Sequence, residues 1–206
     1  MTEQLMADFD RRRFLTQVMP ACSLACLWSG GVKAASPGTT SDDEQHKFEV
    51  EADLKMSSLQ RVSLQNGNFI DFIKTLQTEL DEEELIRLLE VYSAGVGRRA
   101  GERQAERSPD NSFQTYVSTF RPPRYANLLT HKIVEDSAKA FEIRVTECVW
   151  AKVFRDAGLG GRVGQAAICN MDYYWPTAFN KDFKMERDKT LMQGDDCCNH
   201  RYVDTT

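Results

Sequence analysis

The sequence has no excess of positive charge, because 26 Lys and Arg residues face 31 Asp and Glu residues and leave a net charge of -5. Proteins that bind nucleic acid present a basic face to the phosphates, so this balance argues against nucleic acid as the main partner. Outside residues 14–32 there is no apolar run of the roughly 20 residues that span a bilayer. The sequence also has no internal repeat and no Cys-x-x-Cys pair, so the spacing signal for a zinc or iron–sulfur site is weak.

The N-terminal segment has a pattern typical of twin-arginine export. Asp10–Thr16 contains consecutive arginines followed by Phe-Leu, and residues 14–32 are uncharged but diluted by Pro, Ser and Gly. This moderate hydrophobicity suits twin-arginine export better than a membrane span. We therefore expect a twin-arginine signal peptide over residues 1–34, cleaved after Ala34. The alternatives are an uncleaved N-terminal anchor and, less favoured by the sequence, a lipoprotein modified at Cys26.

Export by this route predicts a periplasmic protein whose first partner is the twin-arginine export machinery, with no stable membrane span after cleavage. Residues 35–45 are expected to form a polar linker, and residues 46–206 a single domain large enough for its own core. Cys22 and Cys26 would leave with the signal. The four cysteines that remain are Cys148, Cys169, Cys197 and Cys198.

The first half of the domain has helical patterns. Residues 82–99 begin with three glutamates, end with two arginines and repeat apolar residues at helical spacing, from Leu85 to Val96. A shorter helix is expected over residues 69–76 and another over residues 44–64. A leucine-rich stripe of this kind is typical of core packing, so we assign it no chemistry.

The last third changes to the two-residue period of strands. Strands are expected at residues 141–145 and 183–186 and in a final segment from Cys198, with helices over 149–157 and 165–173 and a turn at 193–196. The helix over 165–173 is expected to stop at Trp175-Pro176. The predicted fold class is α+β, with N-terminal helices packed on a small, mainly antiparallel sheet that has inserted helices.

The chemistry-bearing residues of the domain concentrate in this last third. Cys148 follows a strand, and Cys169 and Asp172 are three residues apart, which places them on one helix face. Cys198 and His200 share one face of the final strand. Thiols and a carboxylate delivered by separate elements favour a site over a scaffold.

Three motifs in this region resemble the L-2-amino-thiazoline-4-carboxylic acid hydrolase family. That family has a Cys after a strand, a Cys-x-x-Asp on a helix, and a closing Gly-Asp-x-x-Cys before a strand. The corresponding segments here are residues 145–148, 167–173 and 190–201. The C-terminal part is also similar to the 4-vinyl-reductase domain. Asn199 and His200 depart from the Asp-Phe of the family pattern.

The resemblance implies a hydrolase of carbon–nitrogen bonds in small cyclic amidines, acting by ring opening. The namesake reaction converts an aminothiazoline carboxylate to an N-carbamoyl cysteine. It needs attack on an amidine carbon, proton delivery and binding of a carboxylate. Cys169 and Asp172 are the first candidates for attack and proton transfer, and Cys198, Cys148 and His200 follow. A metal-assisted hydrolysis would use the same residues as ligands, so metal and cofactor stay unknown.

Two other interpretations remain open from the sequence. In an oxidising compartment the four cysteines can form structural disulfides, with Cys197 or Cys198 joined to Cys148 or Cys169. Cys197 and Cys198 are poor partners for each other because neighbouring strand side chains point to opposite faces. The second interpretation is a non-catalytic exported protein that binds a small molecule or serves a redox enzyme in the same compartment.

Overall fold

The computed structural model describes residues 56–206, which form helices packed with one four-stranded antiparallel sheet. The α+β prediction is therefore confirmed. The signal, the linker and the first residues of the domain lie outside the described residues. The α-helices are α1 (Ser58–Glu79), α2 (Glu82–Arg107), α3 (Phe113–Ser118), α4 (Val149–Asp156), α5 (Gly161–Gly164) and α6 (Met171–Phe179). The strands are β1 (Leu129–Asp136), β2 (Ala140–Cys148), β3 (Phe183–Glu186) and β4 (Cys198–Asp204).

Helix α1 is one continuous helix where the sequence predicted a break between two. It begins with a capping box in which the Ser57 side chain accepts from the backbone N–H of Gln60. The expected break lies at Asn66-Gly67-Asn68, but Asn66 donates to the backbone oxygen of Val62 at 2.8 Å and the helix runs through. Over residues 56–206, no helix is both long and apolar enough to cross a membrane.

Helix α2 begins as predicted and ends eight residues later than predicted. The Asp81 side chain accepts from the backbone N–H of Glu84 at 2.9 Å, and three glutamates follow in the first turn. The charged segment after Arg99 stays helical because Gly101 lies directly against α6. Tertiary packing thus extends a helix that its local sequence would end.

The sheet has the order β1-β2-β4-β3, with every neighbouring pair antiparallel. Its inner face carries Phe141, Ile143 and Val145 of β2, as the alternation predicted. Strand β1 was not predicted, because its burial alternates only between partly buried and exposed residues and gives a weak pattern. His131 on β1 has a partner that the sequence did not reveal, since its Nε2 lies 3.0 Å from the backbone oxygen of Phe120.

The helical insertion between β2 and β3 differs from the prediction in two ways. Residues Gln165–Cys169 form a π-helical turn, closed by a hydrogen bond from the Asn170 N–H to the Gln165 oxygen at 2.9 Å. Helix α6 then continues through Pro176 to Phe179, so the expected stop at Trp175-Pro176 is wrong. Its packing against α2 supports the turn that the proline weakens.

Two apolar clusters make up the described core. One joins α1 and α2 to the inserted helices, and the other joins α3 to the inner face of the sheet. Cys148 and Leu191 pack against both clusters. The residues at this junction therefore sit where the helical half meets the sheet.

Candidate functional site

A cavity of about 430 Å³ opens between the two apolar clusters and brings all five sequence-predicted site residues together. Its volume lies within the range of pockets that hold small organic ligands. The predicted residues on its wall are Cys148, Cys169, Asp172, Cys198 and His200. Residues separated by up to 52 positions in the chain thus meet at one place.

Each of these side chains reaches the cavity from the end or the inner face of a regular element. Cys148 is the last residue of β2. Cys198 and His200 are two residues apart and lie on the same face of β4, which pairs with β2. Cys169 ends the π-helical turn and Asp172 lies in the first turn of α6. Asn170 between them fixes this turn to α2 by donating to the Ser93 hydroxyl at 2.9 Å.

Arg187 connects the polar groups of the cavity, although the sequence analysis did not select it. Its side chain is 2 % exposed, and its Nη1 lies 3.0 Å from Asp172 Oδ2 and 3.3 Å from His200 Nε2. Its Nη2 donates to the backbone oxygen of Cys169 at 2.8 Å, and its guanidinium stacks over the Tyr173 ring. One buried cation therefore touches the strand, the π-helical turn and helix α6.

The sequence offered only a faint signal for Arg187. The residue directly follows β3, whose alternation was recognised, so a charged residue at that strand end was visible. Another arginine, Arg201, directly follows Asn199 and His200, the two positions that depart from the family pattern. In the structure Arg201 lies away from the cavity and pairs with Glu135 and Glu186, both at 2.8 Å.

Two of the thiols that line the cavity, Cys148 and Cys169, are not activated in the resting protein. Burial raises the pKa of Cys148 to about 11, and burial also raises the pKa of Cys169, which the nearby Arg187 only partly offsets. Both groups are therefore protonated at neutral pH. Cys198 Sγ accepts a hydrogen bond from the Leu191 N–H at 3.1 Å.

The four cysteines of the described chain are all free thiols, so the expected disulfide between Cys197 or Cys198 and Cys148 or Cys169 is not formed. Cys197 is buried but does not line the cavity, as the strand alternation predicts. Among residues 56–206 there is no cluster of three or more His, Cys, Asp and Glu residues arranged to hold a metal ion.

The pKa values of Asp172 and His200 shift in opposite directions, because burial disfavours the charged form of each group. Burial raises the pKa of Asp172, and the ion pair with Arg187 opposes that rise. Burial, with the neighbouring Arg187 and His131, lowers the pKa of His200 to about 3. Since the Arg187 guanidinium has only donors, His200 Nε2 accepts and the ring proton lies on Nδ1.

The low pKa of His200 predicts an acid-sensitive fold. Between the unfolded pKa of about 6.5 and the folded pKa of about 3, the unfolded chain binds the proton and the folded chain does not. Stability therefore falls as the pH drops through this window, by up to about 1.4 kcal/mol per pH unit. We expect His200→Gln to have a shallower loss from pH 6 to 4 in urea unfolding. The raised pKa of Asp172 makes stability rise as the pH falls, and it does so equally in the wild-type protein and in the variant. If stability changes with pH equally steeply in both proteins, the prediction is contradicted.

The rest of the cavity wall is mostly apolar and comes largely from the helices. Phe69 of α1 and Tyr92 of α2 lie with their ring centroids 5.0 Å apart. Trp175 lines the wall and its Nε1 donates to Gln104 Oε1 at 2.7 Å. Tyr92 and Val96 belong to the stripe that the sequence assigned to the core, so that assignment is wrong at its C-terminal end.

The fold and the cavity define a small α+β protein with an enclosed pocket lined by thiols, one carboxylate and aromatic rings. A family model described as L-2-amino-thiazoline-4-carboxylic acid hydrolase matches residues 62–202, which include every residue of the cavity wall. The chain belongs to this family. The family points to a hydrolase-like function. No curated protein matches the sequence.

Two solved structures have a partly similar fold and low sequence identity to this chain. The phenol-responsive sensory domain of the transcription activator PoxR is 12 % identical, with a TM-score of 0.47 over 66 % of this chain and 73 % of that one. Trafficking protein particle complex subunit 3 from Naegleria fowleri is 13 % identical, with a TM-score of 0.45 over 70 % of this chain and 93 % of that one.

Proposed function

We propose that this protein hydrolyses small cyclic amidines by opening the ring at the amidine carbon, in the manner of its family's namesake. The observation that carries the proposal is the meeting of Cys169, Asp172, Cys198, Cys148 and His200 on one cavity inside the matched region. The chemistry needs a nucleophile, a proton carrier and an enclosed pocket, and this wall supplies candidates for each.

Asp172 is the proposed proton carrier. Its side chain is 26 % exposed and lines the cavity, so a bound ligand can reach it, whereas its partner Arg187 is almost fully buried. The ion pair fixes the orientation of the carboxylate, and its raised pKa favours uptake of a proton during the reaction. A carboxylate held in this way can accept a proton in one step and return it in the next.

Cys169 is the proposed nucleophile. Because its thiol is protonated at rest, it must lose its proton as it attacks. The thiol sulfur bonds to the amidine carbon as its proton passes to the Asp172 carboxylate. The bond between that carbon and the departing ring atom then breaks, and the departing atom takes the proton. One water molecule hydrolyses the enzyme-bound intermediate and restores the thiol, so one water is consumed per ring opened.

Arg187 contacts the proposed reacting residues, and His200 contacts Arg187. Neutral His200 accepts from Arg187 through Nε2, so only its Nδ1–H can donate, and we assign it no role as an acid. Arg187 holds the Cys169 backbone oxygen and the Asp172 carboxylate at once, which fixes the distance between nucleophile and proton carrier. We therefore regard Arg187 as a positioning residue.

The test is hydrolysis of 2-aminothiazoline compounds by the purified protein, followed by mass spectrometry for a product heavier by one water. We expect ring opening by the wild-type protein and a loss of kcat of about 100-fold or more in Asp172→Asn and Cys169→Ser. The matched control is Cys197→Ser, a buried thiol outside the cavity, which should keep near-wild-type turnover.

Full turnover by a folded Asp172→Asn protein would remove this carboxylate from the mechanism. If Cys169→Ser keeps full turnover and Cys198→Ser loses it, the nucleophile is Cys198 on β4 and not Cys169. A direct attack by water, with Asp172 as base, is distinguished by the absence of a covalent adduct on Cys169 in quenched reactions.

A second candidate function is binding without turnover, as an exported small-molecule-binding or accessory protein for a redox enzyme. The observation that favours it is the raised pKa of Cys148 and Cys169, since a resting nucleophile is normally activated. Ligand binding with no ring opening of any amidine would favour this function. We retain the periplasm, reached by the twin-arginine route, as the proposed location for either function.

A further inference from the structure

The charges of the cavity leave no cation free for a substrate carboxylate. Among the described residues that line it, Asp172 and Arg187 are the two with charged side chains, and they pair with each other at 3.0 Å. Arg187 is 2 % exposed, and both of its Nη atoms already donate to protein acceptors. Its Nε has no protein partner, but this atom is itself buried and does not offer a donor to a ligand. An added carboxylate would lie beside Asp172 without a partner, which is costly in a buried site.

Most of the remaining cavity wall is lined by apolar side chains and suits an apolar group. Aromatic side chains come to it from both long helices, from the segment before β1 and from the inserted helices. They are Phe69, Tyr92, Tyr125, Trp150 and Trp175. Aliphatic and thioether side chains fill the spaces between them: Val96, Leu129, Ile168, Met171 and Met192. Such rings gain from burying a flat apolar group against them.

The size of the cavity leads to the same conclusion. A volume of about 430 Å³ is within the range of pockets that enclose drug-sized ligands. A bare aminothiazoline ring is much smaller than a drug-sized ligand. If such a ring places its amidine beside Asp172, most of the aromatic wall stays uncovered.

We infer that the cavity takes a cyclic amidine that carries an aryl or alkyl substituent and no carboxylate. This inference rests on the proposed function for the amidine part of the ligand and departs from the family's namesake substrate in the rest. The amidine group, which gains a positive charge on protonation, faces Asp172. The substituent lies between the rings of α1, α2 and α6.

Three probes test the inference by isothermal titration calorimetry on the full chain. They are 2-aminothiazoline, its 4-carboxylate and its 4-phenyl derivative. We expect the phenyl probe to bind at least tenfold more tightly than the unsubstituted ring, and the carboxylate no more tightly than that ring. The same samples are analysed for ring-opened product by mass spectrometry, so binding and turnover are read separately.

Val96→Trp fills the aromatic end of the cavity from α2, where Val96 is only partly buried. We expect it to reduce the advantage of the phenyl probe over the unsubstituted ring at least fivefold. The matched control is Val91→Trp on the same helix, because Val91 is 62 % exposed and does not line the cavity. Circular dichroism checks that both variants fold.

The outcomes separate the inference from the proposed function. Tightest binding of the carboxylate, or equal binding of all three probes, would overturn the inference even if rings are opened. A phenyl advantage that survives in folded Val96→Trp would also overturn it, because the substituent would then lie elsewhere. Tight phenyl binding that Val96→Trp weakens, with no ring opening, supports the inference while the proposed function fails. If Val96→Trp does not fold, the order of affinities in the wild-type protein decides.

Discussion

Replacing Arg187 with Met is expected to lower the free energy of unfolding by about 3–5 kcal/mol, towards the lower end because Asp172 keeps 26 % of its side-chain exposure. The substitution leaves the Asp172 carboxylate without its buried cation and frees the Cys169 backbone oxygen and His200 Nε2. Arg187 donates to all three groups, so a single substitution removes three hydrogen bonds. Urea unfolding followed by circular dichroism measures the effect.

The matched control is Arg201→Met, because Arg201 also pairs with two partners but is 34 % exposed and lies at the surface. Such pairs contribute about 0–1 kcal/mol, so a small loss is expected. Asp172→Asn combined with Arg187→Met should be less unstable than Arg187→Met alone, because the unpaired charge is then gone. Equal losses in the two arginine variants would show that the buried pair has no special weight.

Gly101→Ala is expected to lower the free energy of unfolding by about 2–3 kcal/mol, although alanine is the better helix former. A Cβ at this position would lie 2.8 Å from Ala178 Cβ and 2.9 Å from the backbone nitrogen of Phe179, besides meeting the Trp175 oxygen. These atoms belong to the chain of α6 and have no rotamer to move away. The two helices must separate, and urea unfolding measures the cost.

Gly67→Ala is expected to change the free energy of unfolding in the opposite direction in the same experiment. Gly67 lies inside α1, and a Cβ there meets nothing within 4 Å. The gain in helix propensity then acts alone and should raise stability by up to about 1 kcal/mol. A gain in Gly101→Ala as well would contradict the close approach of α2 to α6.

The sequence predicts the polar wall of the cavity better than its surroundings. Strand alternation correctly placed Cys198 and His200 on one face. The spacing of Cys169 and Asp172 predicted one face of a single helix, and the two residues do line the same cavity, but from a π-helical turn and from α6. These predictions depend only on local periods, which survive folding. The α+β class followed from the same change of period near Phe141.

The rest depends on contacts between residues distant in sequence. Arg187 belongs to the cavity only because α6 brings Asp172 to it and β4 brings His200 to it. No local period in the sequence reveals these contacts. Val96 follows the same helical period as buried Leu85, yet it lines the cavity, because residues distant in sequence form the rest of that wall. The π-helical turn and the passage of α6 through Pro176 likewise arise from packing on α2.

The pairing of β2 with β4 has a consequence for the order of folding. Cys148 ends β2, but Cys198 and His200 come near it only when the last strand docks against the second. Contacts between residues so far apart in sequence form slowly because the loop between them must first close. We therefore expect the cavity to be complete only after the last strand has docked, and recovery of ligand binding during refolding would report that docking.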